Sequence, residues 1–234
     1  GTTISHLRFG KEKIQSQYKL TESDFIALHV PAYIGRYDIL KGIKKEGTFL
    51  LNSPWSPEEA FNHLTRDMQQ TIINKKIKFF TIDATKIAEE VGLGGRINTV
   101  MQAAFFKLSG VLPEDEAIAL IKNAIEKTFK KKGDDIVKMN WAAVDKTSEA
   151  LVEATVPTKI TTSTEQKKLF SDDADQFCKN IMEPVMKLEG DSIPVSKMPI
   201  DGKVPTGTTK LEKRGVAIHV PKWLSEHCIQ CGQC

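Results

Sequence analysis

The stretch KFFTID, residues 78–83, combines aromatic and β-branched side chains with an aspartate directly behind them. An apolar run of this length is typical of a strand that is buried on both faces of a sheet. Asp83 is of a residue type that caps helix N-termini, because its carboxylate accepts hydrogen bonds from the free N–H groups of the first turn. The stretch therefore predicts a buried strand that passes directly into a helix.

Two stretches nearer the N-terminus have the same apolar character. They are FIALHV at 25–30 and TFLLN at 48–52, and a proline follows each of them closely. Apolar residues at helical spacing over 33–45 predict a helix between these two strands, closed by Gly47. Capping residues at 56–59 predict another helix that continues, with a break allowed, through Asn74. Alternating strands and helices predict an α/β fold, a three-layer sandwich with a mostly parallel sheet.

The flanking regions have other patterns. A short β-like run is expected around residues 2–7. From Arg96 the chain is predicted to be wholly helical up to Ala154. The expected helices are 84–91, 98–108, one that opens at 113–116 and extends to Phe129, and a last one from about Asn140 to Ala154.

The composition changes after Pro157. Prolines punctuate a segment rich in Ser, Thr, Gly and Lys, and only residues 172–187 keep a helical pattern. A long stretch with little regular structure is uncommon inside a compact domain. We therefore expect an irregular, extended connector over 157–226 that wraps over other parts of a larger protein, with a disordered linker as the alternative. The expected domains are 1–156, 157–226 and a third that starts at 227–234.

Composition and charge exclude some classes of protein. Apolar residues make up 40% and charged residues 27% of the 234 residues, which is ordinary for a globular chain with a real core. The net charge of +3 is too small to indicate nucleic-acid binding. No apolar run approaches the ~20 residues that span a membrane, and no signal-peptide pattern is present. Because the chain begins with Gly1 and ends on Cys234, we expect a segment cut from something longer.

The stretch VGLGGRINT, residues 91–99, places three glycines between two predicted helices. Glycine admits positive φ angles and lets another group approach the backbone closely. The N-terminus of the second helix and the Arg96 guanidinium both favour an anion such as a phosphate, and Asn98 adds a neutral donor and acceptor. The stretch thus predicts a loop that faces an anion, with Gly94 and Gly95 exposing the backbone.

Glycine clusters of this kind have two other interpretations. A dinucleotide-binding fingerprint would need a glycine at position 97 and a strand in front of the motif, and the sequence has Ile97 and a predicted helix instead. A glycine helix stop followed by a new helix, with Asn98 near its cap, fits the spacing equally well.

Three of the four cysteines form a C-x2-C-x2-C run, Cys228, Cys231 and Cys234. Bacterial ferredoxin sites continue this run with one further cysteine and a proline. The run therefore predicts three ligands of a 4Fe-4S cluster, with the fourth beyond the end of the sequence; zinc and a redox dithiol are the alternatives. Cys178 is interpreted as a structural thiol. The cysteine pattern favours a reducing, cytoplasmic setting over a disulfide framework.

Taken together, these motifs resemble pyruvate:ferredoxin (flavodoxin) oxidoreductases, the long single-chain form of the 2-oxoacid oxidoreductases. The resemblance covers essentially the whole chain. The segments that carry it are SHLRFG at 5–10, GTFLLNS at 47–53, FTIDA at 80–84, GLGGRINT at 92–99, EKRG at 212–215, and Trp223 ahead of the cysteines.

The resemblance implies a gamma-type α/β domain, a connector named for its Glu-Lys-Arg motif, and the start of a ferredoxin-like domain. It implies an enzyme that oxidatively decarboxylates pyruvate with coenzyme A to acetyl-CoA and CO2, using thiamine diphosphate held outside this segment and iron–sulfur clusters that pass electrons to ferredoxin or flavodoxin. It points to Asn98 and Asn140 as residues at the coenzyme A site, to which the chemistry of Arg96 adds a phosphate partner.

The resemblance also implies partners: the other domains of the same enzyme and the second subunit of a homodimer. No complete active site stands out in the sequence, so the segment is not expected to be catalytic alone. The resemblance implies that it contributes to coenzyme A binding in the full enzyme, and we expect it to bind coenzyme A weakly, if at all, by itself. Two further hypotheses remain open at this point. In one of them the chain is a free-standing electron-transfer or metal-binding protein. In the other it is a scaffold for subunit contacts in which the glycine loop is structural, and this overlaps with a role as part of the oxidoreductase.

Overall fold

A computed structural model describes residues 2–208, 211 and 220–233. The chain divides into two compact units, Gly1–Lys167 and Lys168–Cys234. The first unit contains the sheet and the long helices, and the second contains short turns.

The first unit is built on a four-stranded sheet in the order β1-β2-β3-β4. Its strands are β1 (Ser23–Leu28), β2 (Ile43–Asn52), β3 (Lys78–Ile82) and β4 (Val152–Glu153). The first three strands are parallel, and Leu50 of β2 lies opposite Ala27 on one side and Phe80 on the other. β4 pairs antiparallel with β3. The prediction of an α/β fold with a mostly parallel sheet is confirmed.

Helices cover both faces of this sheet. They are α1 (Arg66–Lys75), α2 (Ala84–Glu90), α3 (Asn98–Ser109), α4 (Glu114–Phe129) and α5 (Asp134–Ala150). Side chains of β2 alternate between the faces. Phe49 and Leu51 pack in one core with α1, whereas Leu50 packs in another with α2, α3 and α5. All three are fully buried, and burying each stabilises the fold by about 1.5–3 kcal/mol.

The helix start after β3 agrees with the sequence, whereas the helix predicted to start at 56–59 begins only at Arg66. A 3-10 turn at Ala60–His63 precedes α1, so the predicted helix does contain a break. Thr65 caps α1 by accepting a hydrogen bond from the Met68 N–H at 3.4 Å. Asp83 caps α2 as predicted, with its Oδ1 accepting from the Lys86 N–H at 2.9 Å.

The helix predicted over Tyr33–Lys45 is wrong. The structure has a 3-10 turn at Pro31–Tyr33, irregular turns after it, and β2 from Ile43 onward. Gly35 and Gly42 have φ angles of 77° and 76°, which break a right-handed helix. A Cβ on Gly42 would lie 2.3 Å from the Thr21 carbonyl oxygen, so the turn also depends on glycine for space.

Three smaller expectations are also corrected. Residues 2–7 form no strand. The last long helix begins at Asp134, six residues before the predicted Asn140, and it ends at Ala150. The region predicted to be wholly helical therefore closes with β4, a two-residue strand whose pairing depends on tertiary contact with β3.

A strap of residues 155–167 follows β4 and lies along the α1 side of the first unit. The Thr155 N–H donates to the Pro57 carbonyl at 3.1 Å, and the Thr164 carbonyl accepts from the Arg66 N–H at 2.8 Å. The Lys167 N–H donates to the Gly35 carbonyl at 2.6 Å. The strap is thus attached to the connections on this side of the sheet through backbone hydrogen bonds.

The described residues of the second unit are irregular apart from one continuous helical stretch at 176–186, which lies within the helical pattern expected over 172–187. A π-type turn at Cys178–Met182 leads into α6 (Glu183–Met186), and 3-10 turns follow at Gly190–Ser192, Val195–Lys197 and Ser225–His227. The Glu-Lys-Arg motif at 212–214 lies outside the described residues. Within the described ranges, no helix has the length and apolar character needed to cross a membrane.

Candidate functional site: the glycine loop and the start of α3

The glycine loop, residues 92–97, joins α2 to α3. Gly92 and Gly94 have φ angles of 84° and 59°, in the left-handed region that favours glycine. A Cβ on Gly92 would lie 3.4 Å from the Met139 sulfur, so Gly92 packs against α5. A Cβ on Gly94 or Gly95 would meet nothing within 4 Å. The backbone at these two glycines is therefore open to an approaching group.

The N-terminus of α3 follows the loop without a side-chain cap. Ile97 occupies the N-cap position and provides no side-chain cap, and no described side chain accepts from the first N–H groups of the helix. Asn98 is the first helical residue, and both Asn98 and Arg96 are exposed. Among the residues that the structure describes, none forms an ion pair with Arg96. Uncapped N–H groups beside a free guanidinium form an arrangement suited to an anion.

Asn140 has a different role from Asn98, because it is buried with only 4% of its surface exposed. Its Oδ1 accepts from the Thr99 hydroxyl at 2.7 Å, and its Nδ2 donates to the Ile136 carbonyl at 2.8 Å. The structure thus brings Asn140 of α5 to the start of α3 through Thr99. In this arrangement Asn140 positions the helix start, whereas Asn98 faces outward.

Sequence reasoning missed Thr99 and Met139, which connect the loop region to α5. A further hydrogen bond connects α5 to α4: the indole N–H of Trp141 on α5 donates to the carbonyl of Lys122 on α4 at 3.0 Å. Thr99 is part of the quoted GLGGRINT motif, but its partner lies 41 residues further along the chain. Only the packing of α3 on α5 identifies that pair.

A second polar cluster lies at the carboxyl ends of the parallel strands, the edge at which open α/β sheets bind ligands. Asn52 is 4% exposed; its Nδ2 donates to the His29 carbonyl and its Oδ1 accepts from the Ala84 N–H, both at 2.9 Å. Partial burial lowers the pKa of His29 below its ordinary value of 6.5. The adjacent Ser53 hydroxyl is buried and has no hydrogen-bond partner in the part of the chain that the structure describes. The signal in the sequence was the Asn-Ser pair at the end of a buried strand.

We expect Asn52→Ala to lower the free energy of unfolding by about 2 kcal/mol, because it leaves the His29 carbonyl and the Ala84 N–H without their partner. Urea denaturation followed by circular dichroism measures this loss. Asn74→Ala is the control, since Asn74 accepts only from the Gln70 side chain on the surface of α1. Equal stability of the two variants would contradict a bridging role for Asn52.

The cysteine run lies in the second unit, where Cys228 is half-buried and Cys231 is exposed. Cys234 lies outside the described residues. Hydrogen bonds from the Trp223 side chain and from the Gln230 N–H hold the pKa of the Cys228 thiol below its ordinary value of 9.0. Gln230 and Gly232 have φ angles of 55° and 72°, so the chain turns tightly around the two thiols. N–H···S bonds and a stabilised thiolate are suited to an iron–sulfur cluster.

Two family profiles match the sequence. One, described as pyruvate ferredoxin/flavodoxin oxidoreductase, matches residues 1–150. The other, named EKR and described as a domain of unknown function, matches residues 163–217. The first covers the whole sheet apart from β4, together with the glycine loop.

Individual relatives match along the entire chain. The chain is 52% identical to the pyruvate:ferredoxin oxidoreductase of Moorella thermoacetica, covering 100% of this chain and 20% of that protein. It is 45% identical to the pyruvate-flavodoxin oxidoreductase of Rhodospirillum rubrum, with 99% and 19% covered. It is 41% identical to the pyruvate dehydrogenase [NADP(+)] of Cryptosporidium parvum, with 100% and 14% covered.

The chain therefore spans about a fifth or less of the length of these relatives. The family profile nevertheless matches more than half of its residues. On this match, the chain belongs to the pyruvate ferredoxin/flavodoxin oxidoreductase family.

Proposed function

We propose that this chain is a segment of an enzyme that oxidatively decarboxylates pyruvate with coenzyme A to acetyl-CoA and CO2. Within that enzyme it contributes to coenzyme A binding and is not catalytic by itself. The observation that carries the proposal is the open backbone at Gly94 and Gly95 beside the uncapped start of α3, in a chain that belongs to this family. The names of the relatives support pyruvate as the substrate.

Coenzyme A combines phosphate groups with a long arm that contains amides. The exposed Arg96 guanidinium can hold a phosphate with two parallel hydrogen bonds, and the first N–H groups of α3 favour the same negative charge. The exposed Asn98 amide can donate to or accept from an amide of the arm. Asn140 acts indirectly: its Oδ1 accepts a hydrogen bond from the Thr99 hydroxyl and thereby positions the start of α3.

Of the proposed cofactors, one has ligands in this segment and the other is bound elsewhere in the enzyme. Cys228 and Cys231, together with Cys234, would hold a 4Fe-4S cluster whose fourth ligand lies outside this sequence, and the cluster would supply one-electron transfer. Thiamine diphosphate belongs to the full enzyme and has its site outside this segment. The electron acceptor is ferredoxin or flavodoxin, which are the acceptors named for two of the relatives.

The proposed partners of the chain are the other domains of the same enzyme and a second subunit of a homodimer. Exposed apolar side chains in the second unit support such contacts, since large apolar groups facing solvent mark interaction surfaces. Val195 and Ile229 are 87% and 86% exposed, and Trp223 is 69% exposed. We propose a cytoplasmic location, supported by thiols that are suited to a reducing setting.

Calorimetric titration of the chain with coenzyme A tests this proposal. We expect measurable heat, and a dissociation constant raised about tenfold in Asn98→Ala, because one or two hydrogen bonds at an exposed site contribute about 1.4 kcal/mol. Asn123→Ala is the matched control, since Asn123 is an exposed asparagine on α4. Equal affinities in the three proteins would contradict a role for Asn98, and the absence of heat with a folded chain would favour the scaffold role.

A further inference from the structure

Arg36 is a buried cation in the connection between β1 and β2. Only 6% of its surface is exposed. In the part of the chain that the structure describes, its side chain makes one hydrogen bond, from Nε to the Tyr37 hydroxyl at 3.2 Å. None of the ion pairs among the described residues includes it. A guanidinium has five N–H donors, so four of them lack a protein partner here.

Aromatic side chains hold this guanidinium in place. Its carbon lies 5.6 Å from the centre of the Tyr37 ring. The Tyr37 hydroxyl also lies 2.6 Å from the Thr2 hydroxyl, and the Tyr33 ring meets Tyr37 edge-on at 5.4 Å. Because Tyr37 is held from two sides, the orientation of Arg36 is fixed before any ligand arrives.

The terminal nitrogens of Arg36 remain within reach of solvent. Among the described residues, the fully buried side-chain nitrogen and oxygen atoms without a partner are Ser53 Oγ and Ser109 Oγ, so Arg36 contributes none. The unpaired N–H groups are therefore not fully enclosed by the described residues.

The burial of Arg36 favours pairing of its guanidinium with an anion. Arginine stays protonated in proteins, so it cannot escape the cost of burial by losing its charge. A buried charge is costly unless it is paired and hydrogen-bonded. The contact with the Tyr37 ring offsets only part of that cost. A planar guanidinium with two free terminal nitrogens matches the two oxygens of a carboxylate or phosphate.

We propose that Arg36 forms a small-oxyanion site that takes a carboxylate or phosphate group between its two terminal nitrogens. The site does not depend on the coenzyme A site. Tyr33 and Ile34 beside it pack against the core on the α1 side of the sheet, whereas Ile97 in the glycine loop packs against the core on the other side.

Glu165 is the competing explanation from within the chain. Its carbonyl oxygen lies 3.9 Å from the position of a Cβ on Gly35, and its side chain is exposed. A carboxylate on this part of the strap could pair with Arg36 in solution. The test therefore has to separate a free oxyanion from Glu165.

The experiment measures the melting temperature of the chain in titrations with inorganic phosphate and with acetate. A ligand that binds only the folded state raises the melting temperature, and about 1 kcal/mol corresponds to about 2–4 °C for a chain of this size. We expect phosphate or acetate to raise the melting temperature of the wild-type chain by about 3 °C more than that of Arg36→Met. Without oxyanion, Arg36→Met is expected to melt about 2–4 °C higher than wild type, because it removes an unpaired buried charge.

Two further variants serve as controls. Arg66→Met removes an exposed arginine at the start of α1, and it should respond to both anions as the wild type does. Arg36→Gln keeps a donor for the Tyr37 hydroxyl and covers the case in which Arg36→Met does not fold. A larger shift with phosphate identifies a phosphate ligand, and a larger shift with acetate identifies a carboxylate.

Equal anion-induced shifts in wild type and in the Arg36 variants would overturn the proposal. It would also be overturned if Arg36→Met and Glu165→Gln lowered the melting temperature equally and the double variant lowered it no further. That pattern would assign the pairing to Glu165 and leave no place for a free oxyanion.

Discussion

Asn140→Ala is expected to lower the free energy of unfolding by about 2–3 kcal/mol and to weaken coenzyme A binding as well. The residue is 4% exposed, and its amide pairs with the Thr99 hydroxyl and the Ile136 carbonyl. Truncation leaves the Thr99 hydroxyl without its acceptor and opens a cavity between α3 and α5. Urea denaturation measures the first effect, and calorimetric titration with coenzyme A measures the second.

Asn98→Ala separates the effect on stability from the effect on coenzyme A binding. Asn98 is exposed, so its truncation should change the free energy of unfolding by less than about 0.5 kcal/mol while still weakening binding. Thr99→Val removes the same hydrogen bond from the other side. A double-mutant cycle between Thr99→Val and Asn140→Ala should give a coupling of about 1 kcal/mol. Additive effects would show that Asn140 stabilises α5 without positioning α3.

Much of the fold could be predicted from local sequence. β1, β2 and β3 each contain a short, mostly apolar run, and such runs indicate strands wherever both faces of a sheet are covered. The first five residues of β2, IKKEG, lack this pattern and were not predicted as strand. Asp83 could be identified as a cap because its hydrogen bond to Lys86 reaches only three residues along the chain. α4 carries an apolar stripe at helical spacing, which its three buried residues confirm.

The errors arose where tertiary contacts override local pattern. The apolar spacing over 33–45 resembled a helix, but Leu40 is buried from an irregular turn that Gly35 and Gly42 permit, and Ile43 is buried as the first residue of β2. β4 has two residues and is a strand only because β3 pairs with it. Neither feature has a signal within one window of sequence.

The residues of the candidate site could also be predicted only in part. The glycines and Arg96 could be selected from their chemistry, and family resemblance selected Asn98 and Asn140. Sequence could not indicate that Asn98 is exposed and Asn140 buried, because that difference is set by the packing of α3 on α5. The unpaired Arg36 was missed for a related reason: an arginine in a loop is expected to be solvated.

Gln69→Ala is expected to have the largest effect on stability, a loss of about 3–5 kcal/mol in the free energy of unfolding. Gln69 of α1 is fully buried. Its Nε2 donates to the Phe61 carbonyl at 2.7 Å and to the Thr161 hydroxyl at 3.1 Å, and its Oε1 accepts from the Thr161 N–H at 2.9 Å. Truncation leaves two backbone groups unpaired and a cavity beneath the strap.

Gln70→Ala is the matched control for this prediction. Gln70 is the next residue on α1, is exposed, and donates only to the Asn74 side chain at 2.8 Å, so its loss should cost less than about 0.5 kcal/mol. Hydrogen exchange adds a local readout. In Gln69→Ala the Thr161 and Arg66 amides should exchange faster, because the strap loses its side-chain anchor and its backbone bond from Arg66 to Thr164 then opens more often. Unchanged exchange at both amides would mean that backbone hydrogen bonds alone hold the strap to α1, and that Gln69 contributes to stability only through its own burial.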